Sequence, residues 1–195
     1  TVTVPGAPFV LDDARAAAAE RALRLLHLIA GVSYYKAAVP PTIAIDSYAI
    51  DADTAALLET VYLNGLGEFA YRNGLHLHGR IRFPVGATQV AMSAAEIGLH
   101  EHALVAIGGG KDSLVSIEAL RGIGIEQTVT WIGGSQLIKA CAERTGLPTL
   151  NLGRQLAPEL FEYNRLGAWN GHIPVTAVNS AILVFAAVLL GADQV

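Results

Sequence analysis

The stretch "ALVAIGGGKDSLVSI", Ala103–Ile117, places five apolar residues before three glycines, then Lys-Asp-Ser, then an apolar-periodic run. Consecutive glycines are costly to order, because each loses more backbone freedom on folding than any other residue. Between a strand and a helix they let backbone N–H groups converge on one concavity, and the helix N-terminus adds partial positive charge. That is phosphate-binding chemistry. Gly108, Gly109 and Gly110 would form the cradle, Lys111 a full charge, Ser113 a hydroxyl donor, and Asp112 a carboxylate able to hold Mg2+. A Walker loop does not fit, since Val105 takes its first glycine position and Asp112 follows Lys111. A dinucleotide fingerprint fails where Ser113 replaces the third glycine. The bland alternative is a glycine-rich turn with Asp112 as N-cap. "WIGGSQ", Trp131–Gln136, repeats the arrangement one strand–helix unit later, so Gly133 is either a second nucleotide contact or part of a simple tight turn.

A second concentration of polar groups lies at Trp169–Ala181, where Asn170, His172, Thr176, Asn179 and Ser180 crowd a loop and the start of an apolar helix. Such groups suit a carboxylate or sugar ligand, and equally suit helix capping. His172 is the candidate acid/base there. Ser33–Lys36, "SYYK", reads as a packed aromatic pair with a solvated lysine, or as a contact to an anionic sugar nucleotide. His76 with His78, and His100 with His102, have i, i+2 spacing but no third ligand, so edge histidines are expected rather than a metal site. Cys141 reads as a small buried helix residue, not a nucleophile.

The elements that must position these groups alternate along the chain. Strand Thr1–Val4 precedes a helix capped by Asp12 and reaching about Ala30. Pro40–Asp46 reads as a strand, Asp53 as the cap of a helix from Thr54 to about Asn73, and "HLHGRIRFPVG" as a strand or hairpin edge. Strands Ala103–Ile107, Thr128–Ile132 and Pro148–Leu152 then alternate with helices near Asp112–Leu120, Gln136–Arg144 and Ala157–Leu166, and an apolar helix ends at Leu190. This pattern predicts an α/β protein: a parallel sheet with flanking helices at 96–195, preceded by a smaller α+β lobe at 1–95. Apolar residues at 52% and charged residues at 15% supply a core and argue against disorder. A net charge of −4 argues against nucleic-acid binding. The apolar run Ile173–Ala192 contains Pro174, Asn179 and Ser180, which favours a buried helix over membrane insertion. One cysteine fits a reducing cytoplasm. The chain opens without Met and stops at "LLGADQV", so it is expected to be a piece of something longer, cut short in its second domain. An exposed last sheet edge leaves homo-oligomerisation open.

Gly108–Ser113 resembles the PP-loop of ATP pyrophosphatases, Ser-Gly-Gly-x-Asp-Ser, with Gly108 in place of the first serine. That resemblance implies a PP-loop, adenine-nucleotide-hydrolase-like fold that cleaves ATP to AMP and pyrophosphate. The blocks "AIGGGKDSLVSIEALR", "WIGGSQLIKACAERTGLPTLNLGR" and "NGHIPVTAVNSAI", with "VPGAPFVLDDARAAA" and "HLIAGVSYYKAAVPP", are together similar to the UDP-N-acetylmuramoyl-L-alanyl-L-glutamate epimerase (MurL) family. The similarity runs through essentially the whole chain, and family members continue beyond the apolar helix. It implies a cytoplasmic, Mg2+- and ATP-dependent isomerase of peptidoglycan precursor synthesis, inverting the terminal L-Glu of a UDP-MurNAc-dipeptide. Adenylating the Glu carboxylate would remove the charge that opposes loss of the Cα proton. Rival readings are an amide ligase, a tRNA-modifying enzyme, or a non-catalytic nucleotide-binding module. The acidic balance opposes tRNA, and Cys141 is poorly placed for a glutaminase. Under the epimerase reading Lys111 stabilises the charge on departing pyrophosphate, so Lys111→Ala is expected to abolish AMP formation; unchanged turnover removes Lys111 from the reaction.

Overall fold

The structure is a computed structural model describing residues 1–86 and 95–195. Its elements run β1 (Val2–Thr3), α1 (Asp13–Ala30), α2 (Val32–Ala38), α3 (Ala52–Gly65), α4 (Gly67–Arg72), β2 (His100–Ala106), α5 (Lys111–Gly122), β3 (Gln127–Ile132), α6 (Gln136–Glu143), β4 (Thr149–Arg154), α7 (Pro158–Arg165), α8 (Val175–Leu190) and β5 (Ala192–Gln194). The chain forms two compact units that each draw on separate stretches of sequence. One comprises Thr1–Arg24, Ala95–Leu156 and Asn179–Val195; the other comprises Leu25–Ala94 and Ala157–Val178.

The first unit carries the sheet, in the order β1-β4-β3-β2-β5. β2 pairs in parallel with β3 and with β5, and β3 with β4. β-branched and aromatic residues in "QTVTWI" suit β3 to the pleated, covered centre. One sheet face buries Ala103, Val105, Val129 and Trp131 with Ile117 of α5 and Ala142 of α6. Cys141 packs as a partly buried residue against this cluster. Leu104, Thr130 and Leu152, which alternate to the opposite face, are equally buried, as expected of a sheet covered on both sides.

The parallel-sheet expectation needs one correction. β1 runs antiparallel to β4, so the sheet is mixed. This two-residue edge strand is held past its end by Gln155 N donating to Thr1 O at 2.9 Å and the Thr1 ammonium donating to Gln155 O at 2.8 Å.

The second unit is helical where strands were expected. Pro40–Asp46 pairs with nothing in a ladder; Pro40 and Pro41 lack N–H donors. Residues 76–86 also form no strand. They are pinned by Glu59, which accepts from Phe83 N at 3.1 Å and pairs with Arg82 at 2.8 Å. The helix expected over Thr54–Asn73 breaks between α3 and α4. A Cβ on Gly65 would stand 2.5 Å from the Pro174 ring, so only glycine admits that approach. Gly74, with φ +63°, ends α4 as its sequence position predicts. Leu58, Leu66, Phe69 and Val32 are fully buried in this unit.

α3 is capped by Asp51 rather than Asp53: the Asp51 carboxylate accepts from Thr54 N at 2.6 Å. That hydrogen bond holds the Asp51 carboxyl below the usual carboxylate range. A depressed folded-state pKa contributes stability above the unfolded value of about 3.9 and loses it as pH falls through the folded value. Asp51→Ala is therefore expected to destabilise by about 1 kcal/mol at neutral pH, with the deficit vanishing at strongly acid pH. Asp53→Ala, two residues past the cap in the first turn, should cost less. Urea unfolding of both variants across pH checks the assignment.

Candidate functional site

The glycine bend lies beyond the C-terminal end of β2. Ile107 N donates to Thr130 O at 2.9 Å, carrying the ladder one residue past the strand. Of the three glycines only Gly109 takes a left-handed conformation, with φ +85°. A Cβ placed on Gly108 or Gly110 would meet no atom within 4 Å. The turn itself therefore requires one glycine, and the other two leave open space. α5 starts directly after the bend with Gly110 as its cap residue and no side-chain cap hydrogen bond. This corrects the plain-turn alternative, in which Asp112 was the N-cap; Asp112 lies inside the first turn. Lys111 Nζ pairs with Asp112 Oδ1 at 2.5 Å, and both side chains are almost wholly exposed, at 87% and 89%. Ser113 Oγ donates to Gly110 O at 3.0 Å.

The neighbouring bend after β3 is built more tightly. Gly133 has φ +93°, its N–H reaches Leu152 O at 2.9 Å, and its carbonyl accepts from Asn151 Nδ2 at 2.8 Å. Ser135 then caps α6, accepting from Ile138 N at 3.4 Å. Asn179 belongs to this same unit: its Oδ1 stands 3.5 Å from Arg154 Nη1, at the C-terminal end of β4. β2, β3 and β4 are parallel, so all three groups gather at one edge of the sheet. The opposite edge holds a cavity of about 450 Å3 lined by His100, His102, Glu126, Thr128 and Thr149 among others. There His102 Nε2 lies 2.9 Å from Thr128 Oγ1.

Asn170, His172 and Thr176 fall in the other unit. Thr176 is exposed in the first turn of α8. His172 is 80% exposed, with Nδ1 2.9 Å from Glu68 Oε2 of α4. Asn170 is exposed as well, but its Oδ1 accepts from Lys36 Nζ at 2.9 Å and from Gly171 N at 2.9 Å. The loop is stitched down on both sides. Trp169 N donates to Ala37 O at 3.1 Å, Asn73 Nδ2 reaches Asn170 O at 3.5 Å, and Gly171 sits where a Cβ would come within 3.0 Å of the Phe69 ring.

Lys36 overturns the expectation of a solvated lysine. It is 8% exposed, and burial pushes its ammonium below the usual lysine range. Tyr35 beside it is buried too, and desolvation raises its phenol against the opposing pull of Arg80. Its hydroxyl has no hydrogen-bond partner among the described residues. Tyr35 also lines a cleft of about 280 Å3 with Tyr34, Tyr62 and Phe83. Glu68 and Asn73, unremarked in the sequence, complete the cluster around Asn170 and His172. The available signal was a lone charged residue inside the otherwise uncharged "VSYYKAAVP".

Among the described residues no group of three or more His, Cys, Asp or Glu side chains is arranged to hold a metal ion. No helix among them is long and apolar enough to cross a membrane.

A family model for the MurL N-terminal domain matches residues 1–195. The chain is 77% identical, over all its 195 residues and 43% of the relative, to UDP-N-acetyl-alpha-D-muramoyl-L-alanyl-L-glutamate epimerase of Xanthomonas oryzae pv. oryzae (strain MAFF 311018). It is 42% identical over 195 residues, all of this chain and 42% of the relative, to the protein of the same name from Salinispora tropica. To that from Micromonospora sp. (strain ATCC 39149) it is 44% identical over 191 residues, 97% of this chain and 42% of the relative. The chain thus spans about two-fifths of the length of these relatives. No solved structure matches it. Matched from end to end by the family model and by the Xanthomonas relative, the chain belongs to the MurL N-terminal domain family.

Proposed function

We propose that this chain is the N-terminal part of a cytoplasmic enzyme that inverts the terminal L-Glu of UDP-MurNAc-L-Ala-L-Glu to D-Glu in peptidoglycan precursor synthesis. The observation that carries the reading is the 77% identity, unbroken across the chain, to a relative named for that epimerisation.

The ATP-dependent, PP-loop part of the proposal rests on the bend. Two glycines that the turn does not need leave open backbone in front of an uncapped helix start. An anionic phosphate fits there, because unsatisfied N–H groups and the helix dipole favour negative charge. Gly108, Gly109, Gly110 and Ser113 would hold the phosphates, Gly133 would border them, Lys111 would face the leaving group, and Asp112 would place Mg2+. When bound, ATP supplies an adenylyl group for the Glu carboxylate, releasing pyrophosphate and, after hydrolysis, AMP. Before that hydrolysis, while the carboxylate is adenylated, residues of the chain would handle the proton at Cα. His172 is the assigned acid/base: Glu68 beside Nδ1 fixes the imidazole so that Nε2 is the accepting nitrogen. His172 would take the Cα proton on one face and release it to solvent, while a proton from water enters on the opposite face, which inverts the centre with no net proton change. Asn170, Thr176 and Asn179 remain the candidate substrate contacts.

The glycine argument separates folding from binding. Gly109→Ala forces a side chain into φ +85° and is expected to destabilise by about 1–2 kcal/mol. Gly108→Ala meets open space and should change stability by less than about 0.5 kcal/mol while weakening ATP binding. Denaturant unfolding and nucleotide titration check this pair; unimpaired ATP binding by Gly108→Ala removes the cradle. The function itself is tested with the full-length protein, ATP, Mg2+ and UDP-MurNAc-L-Ala-L-Glu, following nucleotides by chromatography and the configuration of the released Glu. AMP formed only with that substrate, together with D-Glu, is expected. ADP, or ATP binding without turnover, discards adenylation.

A further inference from the structure

Lys36 and Asn170 stand 134 residues apart in sequence yet meet at 2.9 Å, and their surroundings are built to keep them together. Lys36 lies on α2, which ends two residues later. Val39 closes that helix with a left-handed φ of +47° and donates to Tyr35 O at 2.7 Å. Ala37 O receives Trp169 N, and the Asn170 side chain also accepts from Gly171 N. The amide oxygen therefore points at the ammonium by construction.

The arrangement leaves a charge unanswered. An ammonium has three donors and no acceptor. Asn170 Oδ1, a neutral oxygen, is its only hydrogen-bond partner among the described residues, and no carboxylate there forms an ion pair with it. Glu68, on α4, is engaged with His172. Buried charges are otherwise paired or coordinate an ion, because desolvation without a counter-charge is costly. A buried lysine serving the fold alone would be expected to have a carboxylate beside it. One held by a neutral amide, with two donors to spare, is arranged for an anion that arrives with a ligand.

We propose that Lys36 and Asn170 form an oxyanion subsite that binds a carboxylate or phosphoryl group of the substrate. Asn170 fixes the direction of the ammonium, and Lys36 makes a charge-assisted hydrogen bond to the incoming oxygen at this part-buried position. The assignment deepens the epimerase reading and rests on it for the identity of the molecule, which carries both a diphosphate and free carboxylates.

The test uses the full-length protein labelled with 13C at lysine Cε, the Lys36 signal being identified by its loss in Lys36→Arg. UDP and L-alanyl-L-glutamate are titrated separately. A Lys36 shift with UDP places the phosphoryl group there, and a shift with the dipeptide places a carboxylate. No shift with either probe overturns the subsite, whatever the enzyme's substrate proves to be. A shift with either probe in a protein that fails to turn over the muramoyl dipeptide supports the subsite and rejects the epimerase reading. Lys36→Met supplies the second arm. Removing an uncompensated buried charge should leave Tm equal or higher, while affinity for the responding probe falls about ten- to a hundredfold. A lowered Tm with unchanged affinity makes Lys36 structural and overturns the proposal.

Discussion

The parallel register of β2, β3, β4 and β5 makes the chain leave each strand at the same edge of the sheet. Every turn from strand to helix then opens on that edge, which is why Gly108–Gly110, Gly133–Ser135 and the Arg154–Asn179 pair share it. The order of strands adds a second condition. The chain advances from β2 through β3 to β4, then returns to lay β5 on the other side of β2. Beyond β2 the direction of winding reverses, and the crevice outside the carboxyl end of a strand at such a reversal is where open α/β sheets receive ligands. The triple-glycine bend occupies that position. Its location follows from backbone pairing alone, before any side chain is considered.

The same backbone logic explains which parts of this molecule were legible in its sequence. β2 to β4 and α5 to α8 announced themselves because their apolar spacing is local and their ends carry glycine, serine or proline. Even so, β2 begins at His100 rather than Ala103, since its first residues pair with the β5 side, which local pattern does not reveal. Pro40–Asp46 and residues 76–86 have strand-like alternation but no ladder partner. Alternation reports which side chains are buried, and Glu59 provides an alternative way to anchor one such segment. Gly65 stands against Pro174, and Lys36 donates to Asn170. Both are long-range meetings to which a reading of nearby residues is blind. The residues of the Asn170 loop were visible as unusual, but their direction was not: Asn170 points to a buried lysine, while His172 two residues on points outward to Glu68.

These 195 residues carry a net charge of −4, so their overall field repels anions. Any anionic ligand must be captured by local positive charge strong enough to overcome that field, and the two proposed sites would supply it in different ways. At the β2 edge the positive potential is distributed over backbone N–H groups and the exposed Lys111, which Asp112 already partly neutralises. Such a device tolerates water and is weakened by salt, because exposed charges are screened over about 8 Å at physiological ionic strength. Lys36 is the opposite case, a full charge withdrawn from solvent with a neutral oxygen for company. It carries a standing cost in the free protein, and screening by salt reaches it poorly. A fold selected for stability alone would place an apolar side chain of similar volume there, as α2 buries Val32 one turn before. Its presence in a helix otherwise given to packing is intelligible when the cost is offset on binding, where the counter-charge that the fold withholds is brought by the ligand.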